Sequence, residues 1–299
     1  MGTTYSYQEK RAFPDGFFQA ENRGGYQVSA LMKQVWGIEL DMLQELLRIC
    51  EKHNLRIWAD GGTLIGAVRH KGFIPWDDDI DLSMPRADYD KLQEIGPDEL
   101  KAPYFFQTIH TDPGYTHRHI QIRHSETAVW KQGQKTYTCN SGIFIDIFPL
   151  DAMPADPRGF KKHYSKVSAL KRRLRFVQRV SMKFPKLYAF CREHVPFLSD
   201  KKLFGKYEAL LRSVSPERKA AWTEITFNHA CPMYPVNSYR ETVYADFEFL
   251  KLPIPADYDS VLTIMYGDYM TPAQIPSGHG TLNYDVTHSY KEILKKWTE

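Results

Sequence analysis

Asp79-Ile80-Asp81-Leu82 is the segment that leaves this chain the fewest options. In a strand, successive side chains point to opposite faces, so Ile80 and Leu82 enter a core while Asp79 and Asp81 share the other face. A fold that accepts it must hold two like charges side by side on a rigid surface. Acceptor-only oxygens held in that way suit a hard divalent cation. A solvated acidic turn is the bland alternative, and the two apolar partners argue against it. An EF-hand loop also sets acids at alternate positions, as Asp77, Asp79 and Asp81 are set, but Leu82 stands where that loop demands glycine. Asp77 and Asp78 follow an irregular Pro75-Trp76; either tunes the local charge or caps a turn.

Upstream, Gly61-Gly62-Thr63 lies between an apolar strand at 55–59 and a short helix expected from Thr63, as its N-cap, through Val68 to a stop near Gly72. Glycine lets the backbone approach a phosphate closely, and N–H groups at a helix start attract anions. Arg69, His70 and Lys71 end that helix, placed to clamp a diphosphate or simply to complement the helix C-terminus. Trp58, Trp76 and Trp130 are material for an aromatic cage around a quaternary ammonium, although most aromatics are core.

Downstream, Asp146 interrupts the most strand-like stretch of the chain, residues 142–148. A lone carboxylate among apolar neighbours is costly unless it is paired or metal-bound. It is either a core acid bonded to a Tyr, Arg or His, or a third acid that completes a metal site or serves as general base beside it. Arg123 is a further phosphate clamp or a plain strand arginine. His110, His117, His119, His124 and Cys139 are potential zinc ligands, but their spacing matches no standard zinc motif.

The 299 residues, 42% hydrophobic and 25% charged, have room for one elaborated domain or two small ones with a real core. A net charge of +3 is too near neutral to argue for nucleic acid as a partner. Four scattered cysteines without a CxxC pair suit a reducing compartment. Residues 1–13 hold no apolar signal-peptide core, and no run approaches the length of a bilayer span. The expectation is a cytoplasmic protein. Met1-Gly2 opens a myristoylation motif that is weak by itself.

A helix is expected over 29–53, with Trp36, Leu40, Leu43, Leu47 and Cys50 on one stripe. Strands are expected at 79–84, 104–109, 119–124, 127–130, 142–148 and 244–250, and helices at 85–95, 201–214 and 258–266, the last ended by Gly267. Residues 158–193 are helical in pattern and strongly basic, with Lys171-Arg172-Arg173 and Arg175, and Pro185 interrupts them. This basic face suits an anionic polymer or the inner face of a membrane carrying a lipid-linked acceptor; a solvated helix face is the alternative.

Three stretches then resemble the LicD family, which takes in the fukutin-related proteins: DGGTLIGAVRHKGFIPWDDDIDLSM at 60–84, GIFIDIFPLD at 142–151, and a weaker tail match of FEFLKLPIPADYD at 247–259 followed by YGDYMTP at 266–272. The basic segment 158–193 matches no motif. The family looks like a branch of the nucleotidyltransferase superfamily, with a glycine turn, an acid pair on one strand and a third acid on another. The resemblance implies a mixed α/β (α+β) nucleotidyltransferase-like core over 1–155 with an N-terminal helical arm, a basic helical insertion at 156–215, and a segment at 216–299 packing back on the core. It implies Asp79, Asp81 and Asp146 as metal-holding catalytic acids for Mg²⁺, with Mn²⁺ as the alternative. Gly61, Gly62, Thr63, Arg69, Lys71, Trp76 and Arg123 would then contact substrate. The reaction it implies moves phosphocholine, or a related alcohol phosphate, from CDP-choline to a cell-surface glycan such as a teichoic acid or lipooligosaccharide precursor, releasing CMP. Three competitors stand beside it: NMP transfer from an NTP, a metal-dependent glycosyltransferase, and a glycan- or lipid-binding module that kept the fold without catalysis.

Overall fold

The computed structural model describes residues 5–112, 114–134, 136, 139–154, 156–183, 199–214, 219–223, 232–273 and 282–298. The chain forms two compact units. The first holds residues 1–115, 119–149 and 237–299, and the second holds 116–118 and 150–236. The basic insertion expected at 156–215 falls in the second unit.

In the first unit a small hairpin, β1 (Glu21–Arg23) and β2 (Tyr26–Val28), leads into α1 (Ala30–Lys52). Ser29 caps α1 by accepting the Met32 N–H. The expected apolar stripe is the buried face: Trp36, Leu40, Leu43, Leu47 and Cys50 are all enclosed. Each such leucine contributes about 1.5–3 kcal/mol by leaving water. The strand expected at 55–59 is shorter, β3 (Trp58–Ala59), and pairs antiparallel with β4 (Asp81–Pro85) through Trp58 opposite Ser83 and Ala59 opposite Leu82. Between them lie α2 (Gly61–Ile65), continued by a π-helical turn at Gly66–His70, and the loop that carries Asp77 to Ile80. Next come α3 (Arg86–Glu99), β5 (Tyr104–Gln107), β6 (Ile120–His124), β7 (Ala128–Lys131) and β8 (Ile143–Pro154). In this unit β3, β4, β8, β6 and β5 lie in that order in one mixed sheet. Its apolar face takes Ile80, Leu82, Ile120, Ile122, Ile145 and Ile147 out of water.

In the second unit β8 continues far past the expected end at 148. Its last residues pair with β9 (Lys219–Thr223), which pairs with β10 (Tyr234–Pro235). The basic helix α4 (Pro157–Lys183) packs on the helix Asp200–Leu211. Pro185 and the remainder of the stretch expected to be helical to 193 lie outside the described residues.

The tail of the first unit corrects one expectation. In place of a single strand at 244–250 there is a hairpin, β11 (Thr242–Phe247) and β12 (Leu250–Pro255), turning at Glu248-Phe249. Glu248 adopts φ +54 in that turn. The helix Tyr258–Tyr266 then ends at Gly267 with φ +68, as its sequence requires. The last elements are β13 (Leu282–Asp285), paired with β7, and a helix at Tyr290–Thr298. Among the described residues no helix is long and apolar enough to cross a membrane.

Candidate active site

The acidic loop is where sequence and structure first part. β4 begins at Asp81, two residues later than expected, so Asp79 lies on the backbone just before the strand, and it is the charge that acts most strongly on Asp81. What gathers the acids is a turn: the Asp77 N–H donates to the Ile74 carbonyl at 2.9 Å. One carboxylate oxygen each from Asp77, Asp78 and Asp79 then lies within 4.8 Å of the others. Trp36 on α1 donates its indole N–H to the Asp77 carbonyl at 3.0 Å, and Tyr284 on β13 donates its hydroxyl to Asp78 Oδ2 at 2.8 Å. Both fix a loop of like charges that would otherwise spread.

Asp146 arrives from β8. Its N–H donates to the Ile80 carbonyl at 2.9 Å, which sets the third acid beside the backbone between Asp79 and Asp81. On its other side β6 pairs Gln121 opposite Asp146. Gln121 Nε2 and His119 Nε2 reach Asp146 Oδ1 at 2.6 and 3.1 Å. The buried Asp is thus both bonded within the core and adjacent to the acid loop.

The field in this corner is strongly negative. Burial first, then Asp78, pushes the Asp77 carboxyl up to about 6. Burial raises Asp79 well above the usual carboxylate range, with Asp77, Asp78 and Asp146 adding to the effect. Burial likewise raises Asp81, followed by Asp79, Asp146, Asp77 and Asp60. Carboxylates pressed together in this way are destabilised until a cation or protons neutralise them. The donor set is all oxygen, which suits Mg²⁺ or Mn²⁺ over zinc.

The glycine pair has a different local role from the expected one. Asp60, not Thr63, caps α2, its side chain accepting the Gly61 N–H at 2.8 Å. Gly61 takes φ +52, and a Cβ there would lie 3.1 Å from Asp81 Oδ2 and 3.6 Å from the Tyr266 hydroxyl. A Cβ on Gly62 would lie 2.4 Å from Asp77 Oδ2. The pair therefore makes room for two carboxylates of the cluster. Thr63 is buried, and its hydroxyl accepts the Asp81 N–H at 2.9 Å, tying α2 to the first residue of β4.

The remaining expected contacts divide. Arg69, half-buried at the end of the π-helical turn, donates Nη1 to the Tyr269 carbonyl, and burial lowers its pKa. Burial, then Arg69 and Arg23, lowers His70. Lys71 is exposed at φ +56. Trp76 stands edge-on to Tyr26 at 5.8 Å and to His70 at 6.5 Å. Trp58 belongs to the core, bonded to Thr242 Oγ1 at 2.9 Å, and Trp130 meets Trp297. Arg123 is buried over the Phe144 ring and donates to Gln107 Oε1, the Gly142 carbonyl and Gln121 Oε1 at 2.7, 2.7 and 2.6 Å. Its donors serve the fold and not a phosphate clamp. Through Gln121 it steadies Asp146. The loose histidine and cysteine set does not converge: among the described residues the one group of potential ligands that does is Asp77, Asp78 and Asp79.

Tyr266, Tyr284 and Glu39 were not among the expected site residues. Glu39 lies on α1, 1% exposed. Its signal was present, since it is a charged residue three positions after Trp36 and next to Leu40 on the apolar stripe.

The tail motif braces the loop. Arg23 grips the Glu248 carboxylate with both guanidinium nitrogens at 2.6 and 2.8 Å, and Glu248 also accepts the Phe73 N–H at 3.0 Å. The Glu248 N–H donates to the Lys71 carbonyl at 2.8 Å, and Phe73 stacks on Trp36 at 4.5 Å.

The sequence model described as LicD/FKTN/FKRP, nucleotidyltransferase domain, matches residues 54–201. The lipopolysaccharide cholinephosphotransferase LicD of Haemophilus influenzae is 29% identical over 245 residues, covering 77% of this chain and 88% of its own length. The ribitol 5-phosphate transferase FKRP of human and of mouse is 38% identical over 47 residues, 16% of this chain and 10% of its own length.

Proposed function

Because the chain belongs to the LicD family, we propose that it transfers an alcohol phosphate, phosphocholine in the first instance, from a CDP-alcohol to a hydroxyl of a cell-surface glycan or its lipid-linked precursor. The observation that carries this reading is the Asp146 N–H bond to Ile80, which brings an acid from β8 to the Asp77–Asp81 loop. Asp77, Asp78, Asp79 and Asp81 form the cation-holding group, and a bound Mg²⁺ or Mn²⁺ supplies neutralisation of diphosphate charge. The α2 start and Arg69, at the far end of the π-helical turn that continues α2, receive phosphate oxygens. Trp76 with Tyr26 offers ring faces and edges to a quaternary ammonium. The acceptor hydroxyl oxygen forms a bond to the alcohol-bearing phosphorus, the bond from that phosphorus to the CMP oxygen breaks, and Asp146 takes the hydroxyl proton. Positioning and charge stabilisation provide most of the acceleration in such transfers.

The second unit's helix α4 carries ten Lys and Arg and no Asp or Glu in 27 residues. We assign its exposed positions, Lys166, Arg172 and Arg173 among them, to an anionic membrane face that carries the acceptor; Lys171, expected to share that face, is buried.

The test is incubation with CDP-choline, CDP-ethanolamine, CDP-ribitol and CDP-glycerol plus Mg²⁺ and candidate glycans, following CMP. One donor should release CMP in an acceptor-dependent way, and Asp79→Asn or Asp81→Asn should lower turnover about 100-fold or more while the fold is kept. Pyrophosphate release from an NTP would favour NMP transfer. Near-normal turnover in either variant would remove the assigned role.

A further inference from the structure

Glu39 is the most deeply placed acid near the site that no step above uses. Its residue is 1% exposed, and among the described residues its Oε2 has no hydrogen-bond partner. An unsatisfied buried carboxylate oxygen is expensive, and native structures rarely keep one without a use. Its direction follows from the helix. Trp36 and Glu39, three residues apart, share a face of α1, and the Trp36 indole already bonds the Asp77 carbonyl. Glu39 therefore looks up from α1 into the underside of the acid loop. After burial, the groups that act on it most strongly are Asp79, Asp78, Asp77 and Asp146, in that order. Glu39 also acts on Tyr284, whose hydroxyl holds Asp78.

We propose that Glu39 is an additional oxygen donor of the cation site, reaching from α1 to the divalent ion or to a water on it, and that its unsatisfied Oε2 is the atom that does so. The proposal rests on the cation-site reading above and extends it from one loop and one strand to a helix. A structural acid would be satisfied by neighbouring donors; the charges that act most strongly on Glu39 are carboxylates instead. A donor reaching from a second element would fix where the ion sits relative to α1, because helix and loop would share a charge that neither holds well alone.

The experiment uses Mn²⁺ as probe on the full-length protein, with binding read by calorimetry and by loss of the free-ion resonance signal. Glu39→Gln should weaken Mn²⁺ about tenfold or more and raise the thermal midpoint of the metal-free protein, since one of the crowded carboxylates is gone. The midpoint rise on adding Mn²⁺ should shrink. If Glu39→Gln binds Mn²⁺ like the wild type while Asp79→Asn does not, the inference falls and the cation-site reading stands. If both variants bind normally, both fall. Should the amide fail to fold, Glu39→Asp keeps the charge and withdraws it by one methylene: weaker Mn²⁺ binding supports the proposal and unchanged binding overturns it.

Discussion

Asp77 shows what single residues contribute here. Its carboxyl is raised to about 6 from an ordinary 3.8, so the folded chain holds a proton there that the unfolded chain has released. Between those two values folding is favoured by low pH, and stability falls as pH rises through about 6. His70, His124 and His163 have lowered pKa values, chiefly from burial, and act with the opposite sign as pH climbs through 6.5. A difference measurement separates the two. With chelator present, Asp77→Asn should raise the thermal midpoint at pH 7.5 and leave it nearly unchanged at pH 4.5. Saturating Mg²⁺ should erase the gain. Equal effects at both pH values would mean that Asp77 is not under the strain described.

At the scale of elements, α2 and the acid loop are fitted to each other with no slack. Gly62→Ala would drive a methyl to 2.4 Å from Asp77 Oδ2, a contact that forces the loop or the helix to move. Such overpacking costs about 1–3 kcal/mol. The expected result is a lower thermal midpoint together with weakened Mg²⁺ dependence of turnover. A variant with normal metal response would show that the two elements are not coupled at this point. α4 is the other element with a separable role. Changing Lys166, Arg172 and Arg173 to Glu should abolish sedimentation with vesicles containing anionic lipid and leave turnover on a soluble acceptor intact. Unaltered sedimentation would reduce this face to a solvated one.

For the molecule as a whole, what could be read from sequence was chemistry, and what could not was contact. Asp146 was visible because an isolated acid in an apolar strand has to be explained. The α1 stripe was visible because five apolar residues kept helical spacing. The strand was expected to start two residues early, at Asp79, because alternation persists into backbone that is not a strand. Gly61 and Gly62 were noticed for the right flexibility and given the wrong neighbour, since nothing in a linear chain says that carboxylates will press against them. Arg123 looked like a ligand contact because sequence does not show that Gln107, Gln121 and the Gly142 carbonyl would absorb its donors. Glu248 lies inside the tail motif, but its bracing role is not legible there because its partners, Arg23 and Phe73, lie far away along the chain.

The amide of Asp146 clasping the carbonyl of Ile80 also limits how relatives of this chain can diverge. Loops between residues 81 and 146 are free to lengthen or shrink, because only their ends must meet. A single residue gained or lost inside β8 ahead of Asp146 would turn the acid to the opposite side of the sheet. Tolerance to insertion should therefore be high in the connections and drop abruptly within that strand.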